Sequence, residues 1–417
     1  MVNALNIFPS NIPIKNIQNI ALSGLTDELF CRYIDTVYQN NSGSILIVTS
    51  SLFEANQLYD SLANYQEKVY LFPMDDFLSS EAIATSPDLM VNRLETIQSI
   101  LEEKKVIVVT NLMGYLRFLP TISTYQNSIQ TISMNDDYDQ IEFSKYLHNI
   151  GYRRESMVTK TGEYAIRGFI IDVFPLGEEH PVRFEFFGDT IDSIRYFDED
   201  TQKSVEKLES VTISPYSEFI LDSDIEVPEV KQKYLKEYSS VSSILDYFDE
   251  VTVFYKDRPQ LEISYQNILK EIMEYHKERD TLFTGDYMFD FFSLTPKYLN
   301  HYLTIDNILK EKDITMYYFD SKEIASFHEN IEAINHFLSE QLYLNKLVII
   351  YLKEIQVKNF VKELTCSYVI TDEENLQKNI VNIVLKPMNK GFMYQDVVVL
   401  TDKELFHYQM KHKKYKT

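Results

Sequence analysis

At about 150 residues per domain, the 417 residues of this chain are enough for several separate hydrophobic cores. Aspartate and glutamate (63) outnumber lysine and arginine (40), giving a net charge of −23. That balance argues against a surface that grips nucleic acid along its whole extent or lies on an anionic membrane, since both need clustered cations.

Only 10 residues are glycine, roughly a third of what an average usage of about 7% would supply, so glycine-rich phosphate loops are not expected. Two cysteines, Cys31 and Cys366, cannot form a disulfide framework, and a reducing cytoplasm is the expected setting. The first residues are broken by Asn, Ser and Pro and lack the apolar block of a signal peptide. No apolar run approaches the about 18 residues of a membrane helix; Leu347 to Leu352 is among the longest. A soluble cytoplasmic protein is the expectation.

In chain order, Ser44 to Thr49, Val69 to Phe72 and Val106 to Thr110 are short β-branched apolar runs that predict buried strands. Helical patterns lie between them. Ser51 and Glu54 have capping-box spacing ahead of Ala55, Leu58 and Leu62. Ser86-Pro87-Asp88 combines an N-cap, a first-turn proline and a first-turn acid ahead of Met90, Leu94, Ile97 and Leu101. Such alternation predicts a parallel α/β unit.

The texture changes near residue 131. Five of the ten glycines fall between Gly151 and Gly188 and separate the runs Glu163 to Arg167, Phe169 to Phe174, Val182 to Phe187 and Ile191 to Phe197, which predicts antiparallel hairpins. Further on, Val230 to Leu245 and Leu261 to Arg279 read as helices around a strand at Val251 to Tyr255. A last α/β texture follows: a helix over Ile324 to Leu342, a strand at Leu347 to Leu352, another helix, and strands at Ser367 to Thr371, Val381 to Leu385 and Val397 to Thr401. A basic stub, Lys411 to Lys416, closes the sequence. The expected domains are therefore an α/β domain in two parts (1–130 and 215–320), a β-rich (α+β) insertion (131–214) and a second small α/β domain (321–417).

Catalytic chemistry finds little support. A phosphate-binding loop needs G-x-x-x-x-G-K-[ST], but the turn after Ile20-Ala21-Leu22 reads Ser23-Gly24-Leu25-Thr26-Asp27-Glu28-Leu29, with one glycine, no lysine and two acids. An ordinary strand-to-helix turn capped by Thr26 or Asp27 accounts for it. The nearest candidate for the second half of an ATPase site, Val251 to Tyr255, continues as Lys256-Asp257-Arg258-Pro259, with an arginine where a water-activating glutamate would stand. No histidine, cysteine or acidic cluster has metal-site spacing, no G-x-S-x-G elbow occurs, and Cys31 reads as a buried structural thiol. No metal, cofactor or catalytic residue is expected.

One pattern is informative. In Val182-Arg183-Phe184-Glu185-Phe186-Phe187, a strand puts Val182, Phe184 and Phe186 on one side and Arg183, Glu185 and Phe187 on the other. Arg167 ends a neighbouring run just before a glycine. A phenylalanine flanked by arginines on a half-exposed sheet is the composition of a protein-docking hot spot. The alternative is that Phe187 covers the turn at Gly188-Asp189 and the arginines are solvated.

The stretch Gly162 to Gly168, continuing through IIDVFP, PVRFEFFGDTIDSIRYFDEDTQKS and EKLESVTISP, closely resembles the transcription-repair coupling factor family and, more distantly, the excision-repair protein UvrB. LYDSL, SPDLMVNRLETIQSIL and the ending KGFMYQDVVVLTDKELF carry the resemblance over about residues 15–408. It implies a degenerate, P-loop-type, UvrB-like α/β module that has lost its ATPase motifs, with an inserted domain that recruits the damage-recognition ATPase UvrA. The family's UvrA-contacting positions map onto Arg167, Arg183 and Phe187. The resemblance also implies a longer complete protein, with an RNA-polymerase-binding domain, a double-stranded-DNA translocase motor and a C-terminal domain that masks the UvrA surface. This chain is expected to be a part of such a protein, non-catalytic and with that surface open. The competing expectation is a helicase-like ATPase acting on DNA, supported only by the α/β architecture.

Overall fold

A computed structural model describes residues 7–76, 86–220, 235–278, 288–304 and 313–406. The chain divides into two compact units, one made of Met1–Val69, Thr252–Leu261 and Pro296–Thr417, the other of Tyr70–Val251 and Glu262–Thr295.

In the first unit, strands run in the order Thr315–Tyr318, Ile20–Ser23, Asn300–Leu303, Val251–Lys256, Ser44–Thr49. The first four are parallel, with Ala21 opposite both His301 and Met316. Ile20–Ser23 and Ser44–Thr49 are buried along their whole length, which is why their apolar residues run continuously rather than alternate. The helix Asp27–Asn40 starts at Thr26, whose Oγ1 accepts from the Leu29 amide at 3.3 Å, and Asp27 and Glu28 sit against the positive end of its dipole. The helix Leu52–Leu62 is capped by Ser51, which accepts from Glu54 N at 3.3 Å. The reciprocal half of the expected capping box is displaced by one residue: the Glu54 carboxylate takes the amide (3.2 Å) and hydroxyl (2.7 Å) of Ser50.

The same unit carries a six-stranded sheet in the order Ser321–Glu323, Phe392–Tyr394, Val397–Thr401, Leu347–Tyr351, Val381–Val384, Tyr368–Thr371. Its last four strands are parallel. Leu338, Val348, Ile350, Ile383 and Leu400 form part of its core. The helix expected over Ile324 to Leu342 is shorter, Ile331–Tyr343. His328 and Glu329 stand at φ +48° and +64°, outside helical space, and Asn330 accepts from Ala333 N at 3.1 Å to begin the helix.

In the second unit, Pro87–Glu102 is helical with its proline at the start, although Ser86 makes no side-chain cap. The β-rich part is a six-stranded sheet ordered Ser204–Leu208, Thr190–Phe197, Val182–Phe187, Ile170–Val173, Glu163–Arg167, Arg153–Arg154. All its neighbours are antiparallel except the last pair. A helix that the sequence reading did not separate from the β texture, Gln140–Asn149, lies on it, with the Phe143 ring edge-on to Phe184 at 5.2 Å and 87°. Its buried residues, Phe143 and Leu147, are spaced four apart, one turn on one face.

The helix expected over Val230 to Leu245 is not formed where described. Residues 230–234 lie outside the described residues, Leu235–Tyr238 is a single turn, and Val241–Ser242 is a strand followed by the 3₁₀ turn Ile244–Tyr247. The serines explain it, because hydroxyls offer the backbone non-helical partners. Ser243 takes a reciprocal cap with Asp246, whose carboxylate accepts the Ser243 amide at 2.6 Å and hydroxyl at 2.8 Å. The next helix runs Arg258–Glu278, so Arg258-Pro259, read as a loop, opens its first turn. Arg279 and the basic stub lie outside the described residues.

Candidate partner-binding surface

The strand Val182–Phe187 alternates as its composition dictates: Val182, Phe184 and Phe186 are buried, while Phe187 is 82% exposed. Its register sets Arg183 opposite Asp172 on one side and Arg195 on the other, and Asp172 opposite Ala165 beyond. Directly opposed residues share a face, so one row of the sheet carries Asp172, Arg183 and Arg195.

Asp172 organises that row. Its carboxylate is buried and accepts from Arg183 Nε (2.7 Å) and Nη2 (2.9 Å), and it also accepts from Arg167 Nη2. Arg183 is nearly spent: Nη2 also donates to Gln202 Oε1 at 3.0 Å, the guanidinium lies 4.3 Å over the Phe197 ring, and only 12% of its side chain is exposed. Arg167, at the end of Glu163–Arg167, is 44% exposed and gives one nitrogen to Asp172. Next to them Glu185 accepts from Arg195 and from Ser193 Oγ (2.9 Å), and the Arg195 hydrogen bond, outweighing its partial burial, holds its carboxyl below the usual range. The arginines are thus ion-paired rather than simply solvated.

Two tight hairpins end the sheet on this side. Arg167 pairs with Ile170 across the turn Gly168-Phe169, and Phe187 pairs with Thr190 across Gly188-Asp189. Each turn is led by a glycine at φ near +65° (63° and 65°), as two-residue hairpins demand. Arg167, Arg183 and Phe187, singled out by sequence, therefore fall on one face, two at the rim and one beneath it. Asp172 and Phe169 were not singled out.

The strand-to-helix turn at Ser23 to Glu28 has a different character. Lys256, at the carboxyl end of its strand and buried, lies 3.3 Å from Asp27 and 3.6 Å from Glu54. Tyr302 donates to Asp27 at 2.7 Å. The carboxyl end of these strands is where open α/β sheets take ligands; here it carries the ion pairs of Lys256 with Asp27 and Glu54. Cys31 is fully buried, and its thiol is pushed up by burial and then by the Glu28 and Asp27 charges. Among the described residues no group of three His, Cys, Asp or Glu is disposed to hold a metal ion, and no helix is long and apolar enough to cross a membrane.

Residues 131–219, which contain the whole face just described, match the UvrB interaction domain family. Over 261 residues, 62% of its length, the chain is 32% identical to the transcription-repair-coupling factor of Staphylococcus aureus (strain bovine RF122 / ET3-1). Over 338 residues, 78% of its length, it is 30% identical to that of Staphylococcus haemolyticus (strain JCSC1435). The chain is similar to the N-terminal region of transcription-repair-coupling factors. The matched span is 21% and 27% of those two relatives.

Proposed function

We propose that this chain is a non-catalytic docking module that recruits UvrA, through Arg167, Arg183 and Phe187, for transcription-coupled nucleotide-excision repair. The observation that carries the reading is Phe187, 82% exposed at the hairpin end of a UvrB interaction domain that carries the half-exposed Arg167 at the same end. Arg167 and Phe187 make the contact, and Arg183 holds the face rigid through Asp172. A ring that is exposed in the free chain gains nearly its full apolar area when a partner covers it. Truncating Phe187 to Ala should weaken UvrA binding by about 1–2 kcal/mol, read by calorimetry. Unchanged affinity removes Phe187 from the site.

The α/β part is read as a degenerate, P-loop-type fold split by the UvrA-binding insertion (131–214) and followed by a separate domain (321–417). RNA polymerase and double-stranded DNA are partners of the complete protein, in which a translocase motor displaces the stalled polymerase. The alternative, a helicase-like ATPase, meets two carboxylates and a paired lysine where phosphates would sit. Titration with ATP and Mg²⁺ should accordingly give no saturable binding. Saturation that is lost on changing the Ser23 to Glu28 turn would establish the ATPase reading instead.

A further inference from the structure

Phe169 is 68% exposed and sits at the second position of the turn Gly168-Phe169. Most large apolar side chains of the second unit's β-rich sheet are buried in its core. An aromatic ring left in water at a two-residue turn adds no buried area to the core, and the backbone of this turn needs special freedom only at Gly168, the position with positive φ. The neighbouring turn carries the other exposed ring of this sheet end, Phe187.

The two turns are joined through the backbone. Phe186 N donates to Phe169 O at 2.8 Å, so Phe187 is the next residue along from the one bonded to Phe169. A Cβ built on either Gly168 or Gly188 would meet nothing within 4 Å, so space above both turns is open. Arg167 precedes the first turn, with one guanidinium nitrogen fixed by Asp172 and the remainder of a 44% exposed side chain free to meet a partner.

We propose that Phe169 is a second aromatic anchor for UvrA, forming with Phe187 and Arg167 one continuous contact. The partner face that fits it is an apolar depression wide enough for two rings, with a carboxylate placed for Arg167. This proposal rests on the docking function above and extends it to a residue outside the set Arg167, Arg183 and Phe187. Paired anchors over a preformed frame lose little side-chain entropy on binding, because each ring has only two torsions and the backbone beneath is already bonded.

The test is UvrA binding by calorimetry with the full chain and its variants Phe169→Ala, Phe169→Leu, Phe187→Ala and the double alanine variant, with thermal midpoints recorded for each. Phe169→Ala should weaken binding about tenfold with its midpoint unchanged, Phe169→Leu should recover most of the affinity, and the double variant should depart from additivity. If Phe187→Ala weakens binding while Phe169→Ala stays within about twofold of the parent, this proposal falls and the docking function stands. If neither substitution matters to a parent chain that binds, both assignments fall. A parent chain with no affinity for UvrA overturns the docking function and this proposal with it.

Discussion

Glu218→Gln should lower the stability of the second unit by about 3–5 kcal/mol, the largest effect expected of any single polar substitution here. The Glu218 carboxylate is buried and accepts from Arg93 Nε (2.7 Å) and Nη2 (2.8 Å) and from Arg117 Nη2 (2.9 Å). All three side chains are at most 5% exposed. Arg93 is fixed further by donating Nη1 to Pro73 O at 2.8 Å. With glutamine in place of the carboxylate, two buried guanidinium charges lose their counter-ion, and that uncompensated charge is what makes breaking such a group costly.

Burial pushes the Glu218 carboxyl up, but Arg117 and Arg93 outweigh it and hold it below the usual glutamate value of 4.5. A carboxyl whose folded value is depressed contributes stability that is complete above its unfolded value and is lost as pH falls through the folded one. Urea midpoints of parent and variant should therefore differ widely at neutral pH and converge as the solution is acidified below the ordinary glutamate range. Equal midpoints at neutral pH would show that the arginines find other partners.

Gly24→Ala is the second large effect, about 3 kcal/mol or more. Gly24 sits at φ +76°, and a Cβ there would lie 2.0 Å from the Phe319 carbonyl oxygen and 3.1 Å from its carbon. That oxygen cannot swing aside. Phe319 N donates to Ser23 O at 2.8 Å, and Ser321 Oγ donates to Gly24 O at 2.8 Å while accepting from Thr26 N at 2.7 Å. The single glycine of this turn is required by close approach of the chain's own backbone. A thermal midpoint within about one degree of the parent would mean that the turn can open without loss.

The parts legible in the sequence were those set by local pattern. Ser44–Thr49 reads as a buried strand because every residue is apolar or β-branched apart from Ser44, and Val182–Phe187 declares its two faces by strict alternation. Asn300–Leu303 was missed because its sequence, NHYL, opens on two polar residues. Asn300 is nonetheless fully buried, donating to Val253 O at 3.2 Å and accepting from Ile20 N at 3.3 Å, an arrangement that only the neighbouring parallel strands make possible. Asp172 was opaque for the same reason: its arginines come from two other strands, and register cannot be read from composition. Phe169 looked like the first residue of a strand until the pairing of Arg167 with Ile170 turned it into a hairpin tip.

The ion pairs of Lys256 with Asp27 and Glu54 have a consequence for descent. Any one-step change toward a phosphate site first breaks something: losing either acid leaves a buried lysine with one counter-ion fewer, and losing the lysine leaves two carboxylates facing each other. Each intermediate is less stable than its parent, while the glycines and the loop lysine a phosphate needs are still missing. Sequence drift at this turn is therefore held in a local optimum, in which Lys256, Asp27 and Glu54 constrain one another.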